Sequence, residues 1–137
     1  MITLLAIDPG GVHCGLALFK DERCVAATEY GPDILPGIVL RHFAWRVSEL
    51  IVEEFRLYSN PALFSEALRT IEVIGVLRYL ASRQGVSFVT QSASIKHVAT
   101  AIARRKGISL ISRGAGPHAR DAELHGIYRI HTQKGAT

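Results

Sequence analysis

The chain opens with an apolar run over residues 2–7 that contains no turn former and stops at Asp8-Pro9-Gly10-Gly11. Such a run predicts a strand over 2–8 that is buried on both faces, because Pro and paired Gly cannot continue a central strand. Two further apolar runs, 13–19 and 23–28, follow after short turns and predict an antiparallel meander. Ile38, Val39, Phe43, Ala44 and Val47 recur at helical spacing, so a helix is expected over 36–49, with Pro36 in its first turn. Residues 50–57 form a fourth predicted strand with Glu53 and Glu54 in its middle, followed by a polar loop around 59–61. A long helix is expected over 68–83, with Ile71, Ile74, Leu77, Leu80 and Ala81 on one apolar face, for packing on the sheet or on a second copy, and Gly85 beyond its end. A fifth strand over 86–90 precedes a helix over 94–105, for which Ser94 is the N-cap candidate and Gly107 the stop. The Gly-rich loop 108–117 is expected to be mobile, and a last helix covers 118–131.

This order places two strand–helix–strand crossovers after a meander. Crossovers bring their strands parallel and hairpins bring theirs antiparallel. The expected fold class is therefore α/β: a mixed five-stranded sheet, three antiparallel strands then parallel strands, with helices on both faces. At 137 residues and 48% apolar, with no repeat or linker, residues 1–137 are expected to form one domain.

Carboxylates in this apolar framework need an explanation. Asp8 ends a buried strand, where an ionised acid is costly unless a positive charge offsets it. On the fourth strand side chains alternate, so only one of Glu53 and Glu54 can share a face with Asp8. Glu53 has apolar neighbours on its own face and is preferred, while Glu54 is followed two places on by Arg56 and suits solvent. In the last helix His118, Asp121 and His125 stand at i, i+3 and i+7 and form one stripe. Each has an ordinary role available: Asp121 could favour a helix N-terminus, His118 could cap it, and Asp8 could organise the turn. All three on converging elements point instead to chemistry. Oxygen donors with few nitrogens or sulfurs suit Mg²⁺ or Mn²⁺. Two such ions about 4 Å apart can activate a water and stabilise the leaving oxygen in phosphodiester hydrolysis. Asp8, Glu53, Asp121 and His118 are thus the candidate catalytic and metal-binding residues, His118 serving to orient the water or move its proton.

The formal net charge of +4 permits a polyanionic partner. Basic residues gather in the last third, and Arg69, Lys96, Arg104, Arg105, Lys106, Arg113 and Arg120 are the candidates for nucleic-acid contact. Cys14 and Cys24 fall on two arms of one hairpin, near the partners of Thr28 and Leu18, so free buried thiols are expected rather than a disulfide. The apolar runs are too short to span a bilayer and no signal peptide is evident, so a protein of the cytoplasm, or of the inside of a host cell, with no membrane partner is expected.

Ile7-Asp8-Pro9-Gly10, the fourth-strand Glu and His118-Ala119-Arg120-Asp121-Ala122 together resemble the RuvC-type Holliday junction resolvases of the RNase H-like superfamily. The stretches Glu53-Glu54-Phe55-Arg56-Leu57-Tyr58 and Glu72-Val73-Ile74-Gly75 resemble the bacteriophage members more than the bacterial ones. The resemblance implies an RNase H-like fold and a metal-dependent, structure-selective endonuclease, a homodimer nicking four-way DNA junctions symmetrically. Asp8, Glu53 (or Glu54) and Asp121 would match the family's acids. Many bacterial relatives carry an Asp three positions before the last acid, where this chain has His118. Other readings are a nuclease of the same fold acting on flaps, forks or RNA–DNA hybrids, and a junction-binding protein that does not cut. An actin-like or sugar-kinase ATPase also opens with such an acid, but needs two domains of this size around its nucleotide.

Overall fold

In the computed structural model, which describes residues 2–56 and 64–133, the meander is formed by β1 (Thr3–Asp8), β2 (Cys14–Lys20) and β3 (Arg23–Tyr30). Then come α1 (Leu35–Phe43), β4 (Glu49–Glu53), α2 (Phe64–Gln84), β5 (Ser87–Gln91), a short 3-10 turn (Ala93–Ile95), α3 (Lys96–Lys106) and α4 (Pro117–Thr132). The sheet order is β3-β2-β1-β4-β5; β1–β2 and β2–β3 are antiparallel, and β1–β4 and β4–β5 parallel. The expected mixed five-stranded sheet is therefore present. Every residue of β1 is buried, as its unbroken apolar run predicts for the central strand.

Side-chain alternation sends Leu5, Ile7, Leu16, Leu50 and Val52 to a core beneath α1 and α2. Leu4, Ala6, Ala17, Phe19 and Ile51 go to a second core beneath α3 and α4. Helices thus cover both faces. Burial of each such Leu, Ile or Val contributes about 1.5–3 kcal/mol relative to exposure. α4 lies close to the sheet because the facing surfaces are small: Ala6, Gly15 and Ala17 below, Ala119, Ala122 and Gly126 above. That close approach positions the site.

Several element ends differ from expectation. α1 stops at Phe43, and Glu49 belongs to β4. Glu53 ends β4 rather than interrupting it; Leu57 and the polar loop at 59–61 lie outside the described residues. The third helix, α3, starts at Lys96 without a side-chain cap, and Ser92 instead caps the 3-10 turn before it, its hydroxyl accepting from the Ser94 amide. On α2 the buried residues are Thr70, Val73, Leu77 and Ala81, while Ile71 is exposed. Both cysteines are free, opposite Tyr30 and Phe19 rather than Thr28 and Leu18, because the turn is two residues long and the ladder slips at Leu18/Phe19. Cys14 is buried and Cys24 half-buried; burial, with the Glu123 charge next, pushes the Cys24 thiol up to about 12. Among the described residues no helix is long and apolar enough to cross a membrane.

The loop expected to be mobile is tied down. Glu123 on α4 is fully buried, and its carboxylate accepts from the amides of Ile111 (3.1 Å) and Ser112 (2.9 Å). The Ala115 amide in turn donates to the Ser112 carbonyl. Glu123→Ala strips two amides of a charged acceptor and is expected to cost about 2 kcal/mol. Thermal unfolding should then fall by roughly 6–8 °C, and an unchanged midpoint would contradict the anchoring.

Candidate active site

β1 and β4 run parallel in register, Ile7 beside Val52, so their C-terminal ends deliver Asp8 and Glu53 to one edge of the sheet. Alternation places Glu49, Ile51 and Glu53 on the α4 side, and Asp8 shares that side with Leu4 and Ala6. The α4 stripe meets them in order. His118 Nδ1 is hydrogen-bonded to Asp8 Oδ2 at 2.9 Å, and His125 Nε2 donates to Glu53 Oε1 at 2.9 Å. A turn further, Arg129 grips Glu49 with two bonds of 2.9 and 2.6 Å. Asp121 faces α3, where Lys96 Nζ donates to Asp121 Oδ2 at 3.0 Å and lies 2.9 Å from Glu53 Oε1.

Residues of β2 and β3 around the start of α4 make this alignment possible. Gly15, the β1-facing partner of Asp8, has no Cβ, and one there would collide with the His118 carbonyl. Glu29 at the end of β3 supplies the N-terminal acceptor: its Oε2 takes the amides of His118 (2.7 Å) and Ala119 (3.4 Å). A carboxylate there complements the helix dipole. Gly116, with φ of 115°, lies against that carboxylate with no room for a side chain.

Asp8 and Glu53 are hydrogen-bonded and titrate as a pair. Burial, then the Glu53 hydrogen bond and the charges of Glu53 and Asp121, push Asp8 far above the carboxylate range. Burial also acts to raise Glu53, but hydrogen bonds from His125, Asp8 and Lys96 overcome it and hold Glu53 low. For Lys96 burial acts downward, and is outweighed by its bonds to Glu53 and Asp121, so the ammonium is held more tightly than usual. Without a cation, the acids thus have the Lys96 ammonium between them, and Asp8 is pushed toward its protonated form.

The donor set fits a hard divalent ion. Asp8 and Glu53 present adjoining oxygens, His118 touches Asp8, and the upward push on the Asp8 carboxyl marks where positive charge is wanted. Among the described residues, however, no three His, Cys, Asp or Glu side chains already surround one point. Asp121 is held off by Lys96, which occupies the place a cation between Glu53 and Asp121 would take.

The other expected residues scatter. Arg113 and Arg120 line one open groove beside the start of α4. Arg69 is paired with Asp33. Arg104, Arg105 and Lys106 end α3, eight to ten residues and about 12–15 Å from Lys96, with Lys106 Nζ donating to His131 Nδ1 at 2.8 Å. Lys96, expected at phosphates, is inside the acidic cluster instead. Glu54 is exposed and outside it. A cleft of about 240 Å³ opens beside His118, lined by Gly10, His13, Phe55, Arg56 and Thr70. His125, Gln91 and Glu29 were not anticipated as parts of the site; only His125 carried a signal, as the third member of the stripe.

No protein-family model matches the chain, and no curated protein sequence matches it. Among solved structures it is similar to Thermus thermophilus RuvC in complex with Holliday junction substrate, with a TM-score of 0.69 and 19% identity over 98% of this chain and 97% of that one. A second Thermus thermophilus RuvC structure matches with a TM-score of 0.67, also at 19% identity, over 98% of this chain and 97% of that one. What is shared at that identity is the fold, and over nearly its whole length the chain has the RuvC-like, RNase H-like α/β architecture.

Proposed function

We propose that this chain is a divalent-metal-dependent endonuclease that resolves four-way DNA junctions, nicking two strands symmetrically as a homodimer. The observation that carries the reading is the convergence of Asp8, Glu53, Asp121 and His118 where β1, β4 and α4 meet, on an RNase H-like sheet. Asp8 and Glu53, with Asp121 and His118 beside them, would hold Mg²⁺ or Mn²⁺, two ions if Lys96 releases Asp121. Such ions supply Lewis-acid activation of water and stabilisation of the leaving oxygen. His118 spends Nδ1 on Asp8 and keeps Nε2 for a proton of the attacking water, next to the cleft.

Arg113 and Arg120, in one groove beside the start of α4, are the first candidates for phosphate contact, with Arg104, Arg105 and Lys106 reaching a more distant arm. Arg69 can join them by leaving Asp33. For the dimer, α2 carries an exposed stripe of Phe64, Leu68, Ile71 and Tyr79. Each of Leu68, Ile71 and Tyr79 precedes a buried α2 residue by two places, or 200° around the helix, so the stripe lies opposite the core face. A C2 pair through it would match a two-fold junction. The 53–58 and 72–75 stretches support the bacteriophage branch, and with it the cytoplasm of a host cell.

One observation favours a junction-binding protein that does not cut: the Lys96 bridge between Glu53 and Asp121. A panel of four-way junction, three-way junction, flap, duplex and RNA–DNA hybrid, each with Mn²⁺, separates the readings. Cleavage of the four-way junction above the others is expected, and binding without cleavage would overturn the nuclease. In the same assay Glu53→Gln should lose about a hundredfold in rate while Glu54→Gln stays within about twofold, since only Glu53 touches Asp8. Equal losses would remove Glu53 from its assigned place.

A further inference from the structure

His125 lies inside the protein, fully buried, and both of its ring nitrogens are engaged. Nδ1 meets the side-chain amide of Gln91 at 2.8 Å, and Nε2 donates to Glu53 Oε1 at 2.9 Å. Gln91 is itself buried and stands opposite Glu53 in the β4–β5 ladder, and its carbonyl accepts from the Glu54 amide at 2.7 Å. Amide, imidazole and carboxylate therefore form a chain closed by the sheet, in which the ring can neither flip nor swing.

A core histidine with two partners is ordinary by itself. What distinguishes this one is the oxygen it holds. Glu53 Oε1 receives both His125 and the Lys96 ammonium. Two donors saturate that oxygen, so Oε2 would be the one open to a cation that takes the place of the Asp8 proton. An oriented carboxylate also loses less side-chain freedom when a ligand arrives. Outer partners of this kind typically change metal affinity 10–100-fold.

We propose that His125, locked by Gln91, is a positioning residue that fixes one oxygen of Glu53 and presents the other to a divalent cation shared with Asp8. The inference rests on the reading of this cluster as a metal-dependent nuclease site. It concerns residues of β5 and α4 that would not themselves touch the cation.

Mn²⁺ binding, followed by calorimetry and by the electron paramagnetic resonance of free Mn²⁺, tests it without reference to activity. Gln91→Leu leaves the imidazole free to turn and should weaken Mn²⁺ binding roughly tenfold. Gln91→Glu keeps a polar oxygen against Nδ1 and should recover the affinity. In cleavage the half-saturating Mn²⁺ concentration should rise by the same factor in Gln91→Leu, with a much smaller change in the rate at saturation. A structural role alone would lower the unfolding temperature and the saturated rate together, and Gln91→Glu would not rescue a metal affinity. Should Gln91→Leu fail to fold, the wild-type protein still decides: the His125 Nε2 resonance in ¹⁵N-histidine spectra should move as Mg²⁺ is added, and a resonance that stays put overturns the proposal. A wild-type protein that takes up no Mn²⁺ overturns the nuclease reading and this role with it. Wild-type uptake with unchanged affinity in Gln91→Leu overturns the positioning role alone.

Discussion

Asp8→Asn is expected to reduce metal-dependent cleavage of a four-way junction by about a thousandfold or more while leaving junction binding within about twofold. A thousandfold corresponds to about 4 kcal/mol of lost transition-state stabilisation, the scale of the charge stabilisation a metal supplies. The substitution is mild for the fold. Asp8 is only 4% exposed and its carboxyl is held protonated by burial and by the neighbouring acids. An amide has nearly that shape, can donate where the carboxyl proton does, and can still meet His118 and Glu53. It also needs no proton taken up on folding, as a carboxyl with a raised pKa does, so unfolding temperature should stay level or rise slightly. An amide lacks the charge a divalent ion needs from its nearest ligand, and that is the whole loss. Single-turnover cleavage with Mg²⁺, gel shifts in EDTA and thermal unfolding measure the three quantities. Cleavage within tenfold of wild type would sink the assignment.

The same residue shows how much of the site can be read along the chain. Asp8 is legible because Pro9 and Gly10 terminate its strand locally, whatever the neighbours do. The end of β4 is not legible in that way. Glu54-Phe55-Arg56 has no breaker, but β1 on one side ends at Asp8 and β5 on the other at Gln91, so the ladder runs out of partners. A strand limit set by its neighbours is invisible to composition. It moves Glu53 from mid-strand to the strand end, level with Asp8.

Helix periodicity shows a comparable limit on α2. Apolar residues occur on two sides of this helix, and spacing alone does not say which side meets the sheet; Ile71 is on the outer one. The partners of Glu53 are hardest to foresee. Gln91, Lys96 and His125 lie 38, 43 and 72 positions further along and reach it through β5, the start of α3 and the middle of α4. A histidine three or four places from an acid on one helix is a hint, and His125 gave that hint. Lys96 gave the opposite one, since a lysine in a basic chain suggests phosphate. Charge counts cannot tell a solvated lysine from one enclosed by two carboxylates.

Gly15→Ala is expected to be the most damaging change that adds a single methyl group near the site, because it acts on backbone. The new Cβ would fall on the His118 carbonyl and against the Ala119 amide. These atoms cannot rotate away as a side chain can, so the first turn of α4 must lift from β2. Lifting it stretches the Glu29 bonds to the His118 and Ala119 amides and opens the packing of Ala119 and Ala122 on the sheet. The cost is expected at about 3 kcal/mol or more, with an unfolding midpoint lower by roughly 10 °C. It also carries His118 away from Asp8, so cleavage should drop at least about a hundredfold even in the folded fraction. Gly37→Ala is the matched control: nothing lies within 4 Å of its would-be Cβ, and α1 should gain up to about 1 kcal/mol from the added helix propensity. Opposite shifts of the two midpoints would tie the seating of α4 on β2 to the chemistry at Asp8. A Gly15→Ala protein with native midpoint and native cleavage would mean that α4 does not rest on β2 as the 2.9 Å bond from His118 to Asp8 requires.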